Sequence, residues 1–167
     1  MIINKNWKPK EFRTGIINPA TGKEWILSSY YEDKKGNRHF THAEALKIAE
    51  KVAEKYPGWR MCDDDFHRAL RNKVWDNDAD SWQTNVNGFD LNGLECMTRK
   101  LGYIREGFRY HGSWSLYYTK QFGYVWSSAI LPDKRDEANS LHFGSNLCLQ
   151  HSPFGRKYGL QLRFIKC

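Results

Sequence analysis

The sequence predicts an α+β fold with two helices, short twisted antiparallel strands and long ordered loops. Three observations lead there. Two stretches in the first half carry helix start and stop signals around apolar residues at helical spacing. Beyond residue 75 that periodicity dissolves, and Gly recurs beside aromatics at Gly88-Phe89, Gly102-Tyr103, Gly107-Phe108 and Gly123-Tyr124. Aromatic residues reach 15% alongside 13 Gly, a composition suited to strands and loops with packed rings. At 167 residues the chain fits one domain.

The elements follow in order. Residues 1–14 are polar, contain Pro9, and are expected to form an arm outside a domain spanning 15–167. Asn18-Pro-Ala-Thr-Gly22 and Lys34-Lys-Gly-Asn37 are turn sequences, because Gly and Asn accept positive φ. They predict a small β-meander over about 15–40. Thr41-His-Ala-Glu44 is a capping box: the Thr41 hydroxyl accepts from the backbone of Glu44, whose carboxylate reaches back. Leu46, Ile48, Ala49, Val52, Ala53 and Tyr56 continue a helix over about 42–56, stopped by Pro57-Gly58. Asp63 caps a second helix over about 64–74, with Phe66, Ala69 and Leu70 inward and an acidic first turn matched to the helix dipole. The clearest later strands are Gly123–Trp126, Ser140–Phe143 and Gly159–Ile165, the last placing Leu160, Leu162 and Phe164 on one face.

Composition also limits function. No apolar run is long enough for a transmembrane helix or a signal peptide, so neither membrane nor cleaved export is expected. The four Cys (62, 96, 148, 167) show no zinc-type spacing and are expected to be mostly free thiols. The net charge of +7 favours anionic surfaces. Its Lys and Arg are scattered, without an RRM, KH or zinc-finger pattern, so nucleic acid is not expected as a partner.

Catalytic patterns are sparse. The six His form no HExxH, and no Gly-x-Ser-x-Gly elbow or P-loop occurs. Cys148 and His151 have the residue types of a Cys/His hydrolase at a spacing better read as coincidence. Asp76-Asn-Asp-Ala-Asp80 opens like a calcium loop, yet Ser81 stands where Gly is needed and Asn87 where Glu is needed. No cofactor and no metal are expected, with calcium at this loop as the one alternative.

Several pieces occur in a familiar order. Gly58-Trp59-Arg60-Met61 precedes the capped helix ending in Ala69-Leu70; Asn87-Gly88-Phe89 and Leu91 follow. Then come Gly107-Phe108, Gly112-Ser113-Trp114, Gly123-Tyr-Val-Trp126-Ser127-Ser128, and the closing Gly159-Leu-Gln-Leu-Arg163-Phe-Ile-Lys166. Over about 40–167 this resembles the Fibrobacter succinogenes major paralogous domain of Bacteroidetes and their phages. That family belongs with the C-type-lectin-like folds, alongside formylglycine-generating-enzyme-like domains and phage tropism determinants. Cys62-Asp63, Phe66-His67 and Phe164 depart from its Pro-Thr, Glu-Trp and final Cys.

The motif residues Gly58, Trp59, Arg60, Trp126, Ser127, Ser128, Gly159 and Arg163 have a scaffold reading. Trp59 and Trp126 belong to the core, Arg60 and Arg163 are partly buried on loop carbonyls, and the serines bond backbone at a strand end. Formylglycine-type chemistry through Cys148 and Cys167 lacks matching site residues. The C-terminal half is instead rich in Tyr, Trp, Ser, Asn and His, the mixture of a recognition surface. Trp114, Tyr117, Tyr118, His142, Asn146, His151, Arg156 and Tyr158 are the expected ligand-binding face. The resemblance and the missing leader imply a phage virion protein made in the host cytoplasm. Other virion proteins would be its partners through the arm, and its target a bacterial-surface glycan or protein. A structural virion component and a cell-surface adhesin domain are the alternatives, and a homo-oligomer is left open.

Overall fold

The computed structural model describes residues 3–167, and it is a mixed helix-and-sheet domain with antiparallel strands. Strands β1 (Glu11–Ile17) and β2 (Glu24–Ser28) form a hairpin, helix α1 (His42–Lys55) follows, and β3 (Arg60–Met61) leads into helix α2 (Asp64–Val74). A short ribbon, β4 (Trp75–Asp76) with β5 (Ser81–Trp82), precedes the one-turn α3 (Gly93–Glu95), which runs into a π turn at Cys96–Lys100. A second ribbon pairs β6 (Phe108–Arg109) with β7 (Leu116–Tyr117). Three long strands, β8 (Phe122–Ile130), β9 (Glu137–Gly144) and β10 (Leu147–Gly155), make a meander, and β11 (Phe164–Lys166) closes the other sheet in the order β1-β2-β11-β3.

The caps written in the sequence set both helices. Thr41 and Glu44 close the capping box, and Asp63 accepts from the Phe66 amide at 2.8 Å. Each helix covers its own apolar core. Ala45, Ile48 and Val52 of α1 pack with Phe40, Trp59, Trp126, Leu160, Leu162 and Phe164. Phe66, Leu70 and Val74 of α2 pack with Trp25, Leu27, Val125, Leu141, Phe143 and Ile165. Ala53 is exposed and Ala69 only partly covered.

Between the cores runs the segment 159–166. Leu160, Leu162 and Phe164 face one core, as their alternation predicts, while Ile165 faces the other. Only Phe164–Lys166 is regular strand; Gly159, Leu160 and Gln161 make isolated bridges to Arg109, Phe40 and Val125. Trp126 lies beside this segment, its amide donating to the Gln161 carbonyl at 3.0 Å and its indole Nε1–H to the Phe40 carbonyl at 2.7 Å.

Four expectations are corrected. Met1 and Ile2 lie outside the described residues, but residues 3–14 are no separate arm: β1 begins at Glu11, and Thr14 is fully buried with its hydroxyl on the Trp25 carbonyl. Trp7 wedges between Tyr31, Tyr56 and Phe164, so a boundary at 14/15 would cut a strand. The meander over 15–40 is a hairpin only, Phe40 making just a bridge to Leu160. Asn146 and His151, expected on a ligand-binding face, do not share a recognition loop, since the two-residue turn at Ser145-Asn146 returns the chain as β10 along β9. Arg60 is exposed and pairs with Asp63 instead of loop carbonyls.

No helix among the described residues is long and apolar enough to cross a membrane. Asp76 holds its own hairpin turn, accepting from the Asp78 and Ala79 amides, and no cluster of three potential metal ligands occurs among the described residues. All four cysteines are unpaired, with Cys62, Cys96 and Cys148 buried. Burial pushes the Cys62 and Cys148 thiols up to about 12 and Cys96 to about 11.

Two tests follow from this packing. Trp126→Ala should lower unfolding free energy by about 3–5 kcal/mol, the cost of deleting a buried large aromatic. A loss below about 1 kcal/mol in chemical denaturation would place Trp126 outside the core. Under native conditions a thiol reagent should modify Cys167 alone, and all four cysteines in denaturant. Rapid native labelling of Cys62 or Cys148 would contradict the packing of α2 on the β8–β10 sheet.

Candidate functional site

The aromatic surface is built on the β6–β7 ribbon. Gly107 makes the ribbon possible, because a Cβ there would lie 1.8 Å from the Tyr117 carbonyl oxygen. Next to it, Phe108 is a hub. Its ring centroid lies 4.9–5.9 Å from those of Tyr117, Tyr118, Tyr124, Phe154 and Tyr158. Tyr110 stacks on His111 at 4.9 Å and meets Tyr158 edge-on at 5.3 Å. On this support Tyr110, Tyr117 and Tyr118 are 41%, 46% and 50% exposed, large values for rings already in mutual contact.

The backbone beneath them is unusual. Trp114, Tyr118 and Lys120 all hold positive φ, at 57°, 59° and 65°. Three such non-glycine residues within seven positions store conformational energy that the surrounding contacts must offset. Trp114 is fastened by its ring against Gly159 and by its carbonyl, which accepts from Arg109 Nη1 at 2.9 Å. The rings are thereby presented in fixed positions.

The eight expected ligand-binding residues do not form one face. Tyr117, Tyr118 and Tyr158 share Phe108. His142 joins from below, stacked on Tyr124 at 4.2 Å and edge-on to Phe122 at 5.0 Å. Trp114 turns toward a cavity of about 560 Å³ lined by Asp33, Lys35, His39, Phe40 and Glu44. Asn146 sits at the β9–β10 tip, in a separate cavity of about 430 Å³ with Trp82, Gln83 and Asn92. His151 is exposed on β10, its Nδ1 accepting from Asn139 at 3.2 Å. Asn139 and Ser127 both donate to Asp64 at the start of α2, at 2.9 and 2.5 Å. Ser127 therefore binds a carboxylate where backbone bonding was expected, while the Ser128 amide donates to the Cys62 carbonyl. Cys148 points into the core and His151 out of it, so they are not arranged as a nucleophile and base.

Arg156 occupies a third place. Its Nε donates to His42 Nδ1 at 3.1 Å and its Nη1 to the Arg135 carbonyl at 3.4 Å. Because Nδ1 accepts, the His42 proton sits on Nε2, which donates to the Ser127 carbonyl at 2.8 Å. Tyr110 and His111 belong to segments whose composition marked them as surface, yet neither stood out individually. Arg135 carried no signal beyond its place in a charged turn.

Family models, curated proteins and solved structures return no match to this chain.

Burial gives the domain a defined response to acid. His39, His67 and His142 are each pushed from 6.5 down to about 4, chiefly by desolvation; Arg109 and Arg38 add to the effect at His39. Burial lowers His42 as well. At His39, His67 and His142 the unfolded chain binds protons near 6.5 and the folded one only near 4, so the stability is present above 6.5 and drains away as pH falls through that window. The melting temperature should drop progressively from pH 6.5 to 4. A flat profile there would mean these imidazoles are solvated in the native state.

Proposed function

We propose that this domain is a non-catalytic recognition module of the C-type-lectin-like kind, binding a bacterial-surface glycan on the Tyr110–Tyr117–Tyr118 surface. The observation that carries this reading is the combination of high exposure with fixed geometry in three neighbouring rings. Sugar rings present flat C–H faces that pack on aromatic rings, and a rigid aromatic loses little entropy when it is covered. Leu116, at 38% exposure, adds an aliphatic side chain beside Tyr117, and grouped exposed apolar residues mark interaction sites.

The wider setting comes from the family resemblance: a phage particle, with other virion proteins as neighbours. Attachment through a free N-terminal arm is not part of this proposal, since Trp7 and β1 belong to the fold. The net charge of +7 suits the anionic envelope of a bacterial target.

The test is a glycan array and a whole-cell binding assay with the wild-type chain and a Tyr117→Ser/Tyr118→Asn variant. Asn tolerates the positive φ of position 118, so the loop is kept. The variant should keep its melting temperature and lose about tenfold or more in binding, as for removal of central aromatic contacts. A wild-type chain that binds no cell or glycan but joins virion proteins tightly would leave only the structural-component reading.

A further inference from the structure

Tyr158 has two sides. One meets Phe108, Phe154 and Tyr110 of the aromatic surface. The other lines a cavity of about 680 Å³ that also touches Thr41, His111, Arg135, Asp136, Arg156 and Lys157. A neighbouring cavity beside Pro132 shares Arg135 and Arg156. Three permanent cations therefore face this region against the single carboxylate of Asp136.

Their situation differs from that of five of the eleven arginines. Arg13, Arg38, Arg60, Arg68 and Arg99 each pair with a carboxylate. Among the described residues, Arg135, Arg156 and Lys157 have no carboxylate within 4.0 Å. The Glu44 carboxylate in the first turn of α1 accepts from the Thr41 amide at 3.0 Å, and Glu137 is paired with Lys134.

Arg156 is also held in place before any ligand arrives. Its amide donates to the Asp136 carbonyl at 2.7 Å, and its carbonyl accepts from the His42 amide at 2.9 Å. Its guanidinium is braced by His42 Nδ1 and the Arg135 carbonyl, which use Nε and Nη1 and leave Nη2 uncommitted. A fixed guanidinium beside a stacking ring matches an anionic substituent on a sugar: the cation takes the charge and the ring takes the C–H face.

We propose that the Arg135–Arg156–Lys157 cavity is the acid-recognising subsite of the glycan surface, selecting saccharides that carry a carboxylate, sulfate or phosphate group. The proposal rests on the glycan-binding reading above and narrows its ligand class. His42 is a positioning residue here, since its neutral Nδ1 holds Arg156 and it touches no ligand itself.

The experiment uses the full chain on an array of bacterial-surface polysaccharides carrying carboxylated, sulfated, phosphorylated and neutral glycans. The uronic-acid members are printed both native and carboxyl-reduced. Wild type should bind acidic members and lose about tenfold on their carboxyl-reduced forms, the size of one charge-assisted contact. Binding should also weaken as salt is raised. The exposed pair Arg135→Gln/Lys157→Gln should erase the preference for acid while leaving binding to neutral glycans unchanged; Arg156→Gln should do the same, with melting temperature as the check on folding. Selection of sulfated or phosphorylated members with the same dependence on these cations would support the subsite equally. Equal binding to native and carboxyl-reduced glycans, without preference for sulfate or phosphate, overturns the acidic subsite and leaves the aromatic reading standing. An acid preference untouched by the double variant overturns the assignment to this cavity. No binding to any glycan overturns both.

Discussion

A buried guanidinium that meets no anion among the described residues holds this domain together. Arg163 is fully enclosed, and among the described residues its guanidinium makes one hydrogen bond, from Nε to the Ser28 carbonyl at 2.7 Å. The charge is met by ring faces: Tyr103 at 4.3 Å, Tyr30 at 4.7 Å and Phe12 at 5.3 Å. A bare buried cation is expensive, and desolvated cation–π contacts are among the few interactions that offset it without a second charge. Those rings come from β1, from the chain after β2, and from the loop after the π turn. The Arg163 carbonyl in turn accepts from the Cys62 amide just before α2. Its side chain thus gathers three distant parts of the sequence and its carbonyl a fourth, and removing any of the three rings uncovers the charge.

The same segment explains why two cores coexist in a small domain. A segment buried on both faces must be apolar on both, and 159–165 comes close, its two polar exceptions being Gln161 and Arg163, both fully buried. Val125 and Trp126 of β8 divide in the same way between the cores. The aromatic surface depends on this layer, because Gly159 leaves room for the Trp114 ring, whose would-be Cβ contact is 2.6 Å.

What the sequence made legible was local. Both helices lie within a residue of their expected bounds, because Thr41, Glu44 and Asp63 act on amides three positions away. The strands Gly123–Trp126 and Ser140–Phe143 were visible from apolar runs, and each proved longer at both ends. Strand β10 was hidden: His151, Pro153 and Leu149 are exposed, so its solvent face looks like loop. The first fourteen residues misled for a related reason, since Trp7 and Phe12 are isolated apolar residues among lysines and only tertiary contacts reveal their burial. Arg60 and Arg163 looked equivalent as motif residues, yet one is solvated and the other enclosed, a difference set wholly by long-range packing. The candidate site was legible as composition and illegible as geometry. Tyr-rich segments were evident, whereas the strained φ of Trp114, Tyr118 and Lys120 and the scatter of the eight residues, four of them over three separate cavities, were not.

The shared wall between the cores has a consequence for biosynthesis. Phe164 and Ser28 are joined although 136 positions apart, and β11 stands between β2 and β3. Until residues 159–166 have left the ribosome, α1 and α2 each lack the partner that covers their apolar face. The nascent chain can form its helices and the β1–β2 hairpin but must wait for closure, with both sticky surfaces open meanwhile. Such a protein completes its fold late and all at once, is slow by virtue of its distant pairings, and depends during synthesis on whatever keeps unfinished chains apart.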